Sequence, residues 1–173
     1  MIMPAVSKVK LLPKSEALLQ MLYLWQLDDD MRRSLLGPSV PVDYQTCINF
    51  YDATYDGISK QLIGIADGDG VLYGAIMLHI EYAHRRCELH LLVDEKHRGR
   101  GTLRAMKALF NYVFNDLRLE RLYTFTPEDN PLAVKGMKNI GATEVSFIPN
   151  YYFAQDHYCG AHILEVTSDS RRI

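Results

Sequence analysis

The chain has 173 residues, with 19 Lys and Arg against 21 Asp and Glu for a net charge of -2, and 48% of it is hydrophobic. That length and apolar share bury a core without metals or disulfides, and the near-neutral balance excludes a nucleic-acid coat, a polybasic membrane binder, an acidic tail and a mainly disordered chain. Three widely spaced cysteines, Cys47, Cys87 and Cys159, make no CxxC pair, which argues against a disulfide framework or thiolate zinc site and for a reducing compartment.

No run approaches the roughly 18 to 20 apolar residues that cross a bilayer. Residues 1–10 lack a signal-peptide pattern, and no repeat or linker divides the chain. The expectation is one domain over 1–173, cytoplasmic, with no membrane partner. Ser15, just after Pro13, caps a helix over 17–25, and the Asp28-Asp29-Asp30 run either ends it or caps the next turn. A second helix begins near Asp43 and places Cys47, Phe50, Tyr51 and Tyr55 at helical spacing before Gly57. Strands follow over 61–66, 71–82 and 87–93, joined by a Gly68-Asp69-Gly70 turn and a polar 83–86 turn, as an antiparallel meander. A helix over 102–117 carries Leu103, Met106, Phe110, Val113, Phe114 and Leu117 on one face. A short strand over 122–126, a helix over 131–140 ended by Gly141, and strands over 143–153 and 158–166 complete the chain. The class is α+β, in the order β-α-α-β-β-β-α-β-α-β-β.

Chemistry concentrates between the third meander strand and the helix that follows it. Val93-Asp94-Glu95-Lys96-His97-Arg98-Gly99-Arg100-Gly101-Thr102-Leu103-Arg104 reads as strand, glycine-containing turn and helix start. Gly99 and Gly101 let backbone approach a ligand, and the free N–H groups of a first helical turn favour an anion such as a pyrophosphate. From Asp94 to Lys107 five Lys and Arg stand against two acids, a local +3. Two glycines before a helix also fit an ordinary loop with a solvated basic face, so context decides. Neither GxxxxGK[ST] nor GxGxxG occurs, which removes the P-loop and dinucleotide-fold readings.

Arg98-Gly99-Arg100-Gly101, after Cys87-Glu88-Leu89-His90-Leu91-Leu92-Val93, resembles the acyl-CoA motif [QR]-x-x-G-x-[GA] of the GNAT N-acyltransferase superfamily. Asn130-Pro131-Leu132-Ala133 and Lys138-Asn139-Ile140-Gly141-Ala142 resemble its Asn-x-x-Ala helix and closing glycine, and the style is similar to the branch of ribosomal-protein N-terminal and polyamine acetyltransferases. The resemblance implies a seven-stranded, mixed but mostly antiparallel sheet with helices on both faces. It implies that the strand before the motif splays from its neighbour, so that the backbone of Leu91, Leu92 and Val93 meets the pantetheine arm of acetyl-CoA. Gly99, Arg100, Gly101, Thr102, Leu103 and Arg104 would meet the pyrophosphate, Arg98 fills the motif's first position, and Asn130 would offer an amide to the cofactor arm. Leu103 departs from the pattern's second small residue, and its side chain either crowds the turn or points into the core.

Acyl transfer to an amine needs a neutral amine, and amines near pKa 10 need a base at neutral pH. Glu88 is the first candidate and His90, on the same strand face, the second; alternatively Glu88 pairs with Arg85 or Arg86. Where the family often carries an acidic Tyr this chain has Met137, and where relatives place a strand Glu it has Phe125. Tyr151 or Tyr152 then serves as the acid, or none is needed, or catalysis is lost; Tyr152 is taken with Glu88 and His90 as the catalytic set. The acceptor site would lie between Tyr23, Trp25, Asp28 to Asp30, Tyr51 and Tyr55 on one side and Tyr151, Tyr152, Asp156 and His157 on the other, a set suited to a cationic amine. No metal is expected, because HExxH is missing and His157, Cys159 and His162 straddle a strand with mixed parity.

The leading function is an acetyl-CoA-dependent N-acetyltransferase acting on a small amine, a protein N-terminus or a lysine by direct attack in a ternary complex. A noncatalytic GNAT-fold module that binds CoA or a partner is the alternative class, motivated by Met137, Phe125 and Leu103. Nucleic acid is not an expected partner at this charge, and a homodimer is expected by analogy with the family alone.

Overall fold

The computed structural model describes residues 9–34, 42–154 and 157–170. The elements in chain order are β1 (Lys10–Pro13), α1 (Glu16–Leu27), α2 (Asp29–Ser34), α3 (Tyr44–Thr54), β2 (Lys60–Ala66), β3 (Leu72–Glu81), β4 (Arg86–Val93), α4 (Arg100–Phe110), β5 (Arg121–Pro127), α5 (Pro131–Asn139), β6 (Thr143–Ala154) and β7 (His157–Thr167). Ser15 caps α1 by accepting the Leu18 N–H at 3.3 Å, and Asp43 caps α3 through the Thr46 N–H at 3.1 Å. Each such cap contributes on the order of 1 kcal/mol.

Two boundaries differ from the sequence expectation. The aspartate run both ends α1 and starts an additional helix, α2, because Asp28 accepts the Met31 N–H at 2.9 Å. The α4 helix begins two residues earlier than periodicity predicts, at Arg100, and passes after Phe110 into a π-helical turn over Asn111–Asp116.

The seven strands form one sheet in the order β1-β2-β3-β4-β5-β7-β6, antiparallel except for the β4–β5 pair. Alternation along β3 and β4 sorts side chains to two faces. Ile76, Leu78, Cys87 and Leu89 join Ala105, Met106, Leu109, Val113 and Met137 from the α4 and α5 side. Ala75 and Met77 join Leu18, Leu22, Cys47, Tyr51 and Tyr55 from α1 and α3. Helices therefore cover both faces.

Two features of this sheet position the site. The parallel pairing of β4 with β5 spans only Arg86↔Arg121, Cys87↔Leu122 and Glu88↔Tyr123, after which the two strands part. On the far edge, β6 gains two residues against β7 between Ile148 and Tyr152, with Asn150 at φ +53°. That bulge bends Tyr151 and Tyr152 out of plain alternation.

Candidate active site

The glycine turn expected to bind an anion is built from β4, a 3-10 turn and the first turn of α4. Asp94 accepts the His97 N–H at 2.9 Å, and its Oδ1 lies 2.6 Å from His97 Nδ1. The His97 ring stacks on buried Tyr73 with centroids 4.3 Å apart. Gly99 then turns at φ +81°, which a side chain tolerates poorly, and Leu103 N–H closes the first helical bond to Gly99 C=O at 3.0 Å. The N–H groups of Arg100, Gly101 and Thr102 precede that bond and have no intrahelical acceptor, so the turn has donors that can hold an anion. A Cβ on Gly101 would stand 3.0 Å from His97 Cβ, which is why this position must stay small. Leu103 does not enter the core: its side chain is exposed at the start of α4.

The splay leaves β4 beyond Glu88 and β5 beyond Tyr123 without each other as partners. Leu91 and Leu92 are half-buried there and Val93 is buried. Across the gap Asn130 caps α5, its Oδ1 accepting the Ala133 N–H at 3.1 Å, which leaves the amide NH2 as the group to offer a ligand.

Glu88 and His90 share one face of β4, as alternation requires, and it is the face covered by α1 and α3. Glu88 Oε1 lies 2.9 Å from His90 Nε2. The alternative partners are engaged elsewhere, Arg85 with Glu120 and Arg86 with Glu81. The hydrogen bond from His90 and the charges of both neighbouring imidazoles lower the Glu88 pKa against its burial. An ionised carboxylate only accepts, so His90 Nε2 carries the hydrogen of this contact and its Nδ1 is turned away from Glu88.

A third group sits beside them that the sequence reading passed over. His79 of β3 is paired in register with Glu88, and its ring centroid is 5.5 Å from that of His90 and 6.1 Å from that of Tyr55. Burial, and then the nearby His90 charge, lower its pKa, so it stays neutral at neutral pH. Tyr55, pushed up to about 12 by burial and by the Glu88 charge, stays a neutral phenol.

The β6 bulge folds Tyr151 flat against Phe125, centroids 5.0 Å apart, and Tyr152 donates its hydroxyl hydrogen to the Phe125 carbonyl oxygen at 3.1 Å. Tyr152 therefore reaches β5 past its last pair with β4. Burial raises its pKa, with smaller contributions from Tyr151 and Glu88. Such a phenol is a hydrogen-bond donor and a poor source of a whole proton. Met137 is buried among the α5 core residues, so no acid stands at that position.

The expected acidic wall of the acceptor site changes character. Asp28 is spent on the α2 cap and Asp29 forms an ion pair with Arg32. Met31 Sδ lies 3.9 Å from Arg98 Nη2, so α2 abuts the glycine turn before α4. Tyr51 and Tyr55 stack in the α3 core, Tyr23 meets Tyr44 edge to face, and Trp25 is half-buried. The His157 side chain is exposed near the tip of the last hairpin, while Asp156 and the Asp30 side chain lie outside the described residues.

A family model described as an acetyltransferase (GNAT) domain matches residues 9–143. Spermidine N(1)-acetyltransferase of Escherichia coli K12 is 25% identical over 164 residues, 92% of this chain and 86% of that protein. The protein of the same name from Vibrio cholerae is 26% identical over 100 residues, 57% of this chain and 53% of its own length. Among solved structures, Vibrio cholerae spermidine N-acetyltransferase in complex with CoA and spermine superposes with a TM-score of 0.84 at 18% identity, covering 94% of this chain and 97% of that one. The Vibrio cholerae enzyme in complex with manganese ions gives 0.76 at 18% identity, covering 94% of each.

Proposed function

Because the chain belongs to the GNAT acetyltransferase family and is an acetyl-CoA-dependent N-acetyltransferase acting on a primary amine, we propose that its amine is a polyamine and that His90, Glu88 and Tyr152 carry the transfer. The observation behind the residue roles is the 2.9 Å contact between Glu88 and His90 on the α1/α3 face of β4, beside the splay. Glu88 fixes the tautomer and orientation of His90, whose Nδ1 takes the proton of the incoming ammonium, directly or through water. The Glu88 charge also favours a cationic acceptor. The neutral amine then attacks the thioester carbon in a ternary complex, a C–N bond forms, the C–S bond breaks, CoA leaves as thiolate, and the second proton, shed by the new amide nitrogen, passes through water to the thiolate or to solvent. Tyr152 donates a hydrogen bond to the charge that develops there, and a thiolate needs no full proton to depart.

The cofactor lies along the splay, with Leu91, Leu92 and Val93 backbone on the pantetheine arm, Arg98 to Arg104 at the pyrophosphate and Asn130 on the arm's amides. The polyamine reading is supported by the spermidine acetyltransferase relatives. The whole chain is taken as one domain, resident in the cytoplasm, which fits three buried free thiols. Among the described residues no helix is long and apolar enough to cross a membrane. A homodimer is supported by Phe147, Tyr151 and Phe153 standing exposed on the edge strand β6; light scattering at twice the 19.8 kDa chain mass checks it.

Release of CoA thiol from acetyl-CoA on addition of spermidine or spermine tests the reading. His90→Gln should lower kcat roughly 10²- to 10⁴-fold with acetyl-CoA affinity unchanged. Wild type that binds acetyl-CoA but acetylates no amine across a broad panel would replace the enzyme reading with the binding-module one.

A further inference from the structure

The His79 Nε2 atom is buried and has no hydrogen-bond partner. Buried polar atoms are almost always satisfied, so an orphan in a polar cluster asks what it binds. One ligand atom each from His79, Glu88 and His90 lie within 4.8 Å of one another. Two adjacent strands hold them there, His79 opposite Glu88 and His90 two residues along on the same face. Two imidazoles and one carboxylate form the donor set of open zinc sites, in which the fourth position is left to water or substrate. Glu88 and His90 keep 21% and 39% of their side-chain surface exposed, so that fourth position meets solvent.

We propose that His79, Glu88 and His90 bind one divalent first-row cation of the zinc class. Bonds of about 2.0 to 2.2 Å place tetrahedral ligand atoms roughly 3.3 Å apart. Side-chain rotation draws the three atoms to that spacing while the strand pairing stays intact. The cation takes the place of the hydrogen now shared by His90 Nε2 and Glu88, the ring then carrying its hydrogen on Nδ1, and it gives His79 a partner. The groups that would hold it are those assigned to proton removal, so the cation and the acetyl transfer exclude one another and zinc acts as a reversible inhibitor. That consequence rests on the reading in the preceding section; the binding itself does not. The sequence expected no metal because it weighed the histidines of β7. His79 came forward only through the β3–β4 register.

Chelator-stripped full chain is titrated with Zn2+ by calorimetry and with Co2+ by visible absorption, where four-coordinate Co2+ gives intense ligand-field bands. One equivalent should bind with those bands, and His79→Gln and His90→Gln should each weaken binding on the order of a hundredfold. His162→Gln, which removes the imidazole paired with Glu144, should bind as wild type does. No stoichiometric uptake by wild type, or uptake unchanged in both the His79 and His90 variants with folding verified by circular dichroism, overturns the site. Neither measurement uses turnover, so a protein inactive on every amine would refute the catalytic roles while leaving this result readable.

Discussion

The roles proposed for His90 and Tyr152 are chemically opposite, and the two side chains stand in different surroundings. His90 is held through Nε2 by an acceptor-only carboxylate, which leaves Nδ1 as the nitrogen to meet the acceptor amine. Tyr152 is held protonated by burial and so presents an O–H. That O–H is given to the Phe125 carbonyl, which keeps the ring in place. Tyr152→Phe keeps the ring and deletes the donor; a hydrogen bond to a charged group is worth about 1.5 to 3 kcal/mol, so kcat should fall roughly 10- to 100-fold. Steady-state kinetics with saturating acetyl-CoA check this, and an unchanged kcat removes Tyr152 from the mechanism. The cysteines make a contrasting case, since Cys47, Cys87 and Cys159 are all buried and free. A disulfide-exchange reagent should find no rapidly reacting thiol in native protein and three after denaturation. Alternation alone put Glu88 and His90 on one face, so that pair was legible in the sequence. His79 was not, because a lone histidine in an apolar strand reads as core until its cross-strand partner is known.

The glycine turn before α4 shows why a loop sequence can be read at the level of an element. The anion binding proposed for it would rest on backbone N–H groups and two glycines, and those follow from residue type and helix start. What the sequence did not reveal is the brace beneath it: Tyr73 of β3 under His97, with Asp94 bonded to the same ring. Gly101 lies against that brace, so any side chain there has a steric effect as well as an electrostatic one. Gly101→Ala and Gly101→Asp separate the two. Calorimetry should show acetyl-CoA affinity reduced in both, with the aspartate at least about tenfold worse than the alanine, equivalent to about 1.4 kcal/mol of added repulsion. Equal affinities in the two variants would mean that no phosphate sits at this turn. The α2 helix and the β6 bulge were missed for a different reason. A six-residue helix capped by Asp28 has little periodicity to read, and a bulge depends on β7, the strand opposite.

At the scale of the whole molecule, the sheet is a four-stranded unit, β1 to β4, joined to a three-stranded unit, β5-β7-β6, by three paired residues and by the core that α4 and α5 pack beneath both. The element order carried this architecture, since a meander, a helix, a strand, a helix and a hairpin leave few ways to close one sheet. The extent of the splay was set by tertiary packing and was visible only in the structure. A cofactor lying in the gap would restore hydrogen bonds that the two strands do not give each other. Acetyl-CoA at a hundred times its Kd should add about 2.7 kcal/mol to stability. For a chain of this size that is roughly 5 to 10 °C in Tm. The location of the gain is more informative than its size. Amide hydrogen exchange should slow in residues 89–93 and 124–127, on the two sides of the gap, while the β2–β3 pair, closed on itself in both states, should change least. If saturating acetyl-CoA protects the α4 start but leaves both strand segments exchanging as before, the phosphate turn holds the nucleotide end and the pantetheine arm does not lie in the splay.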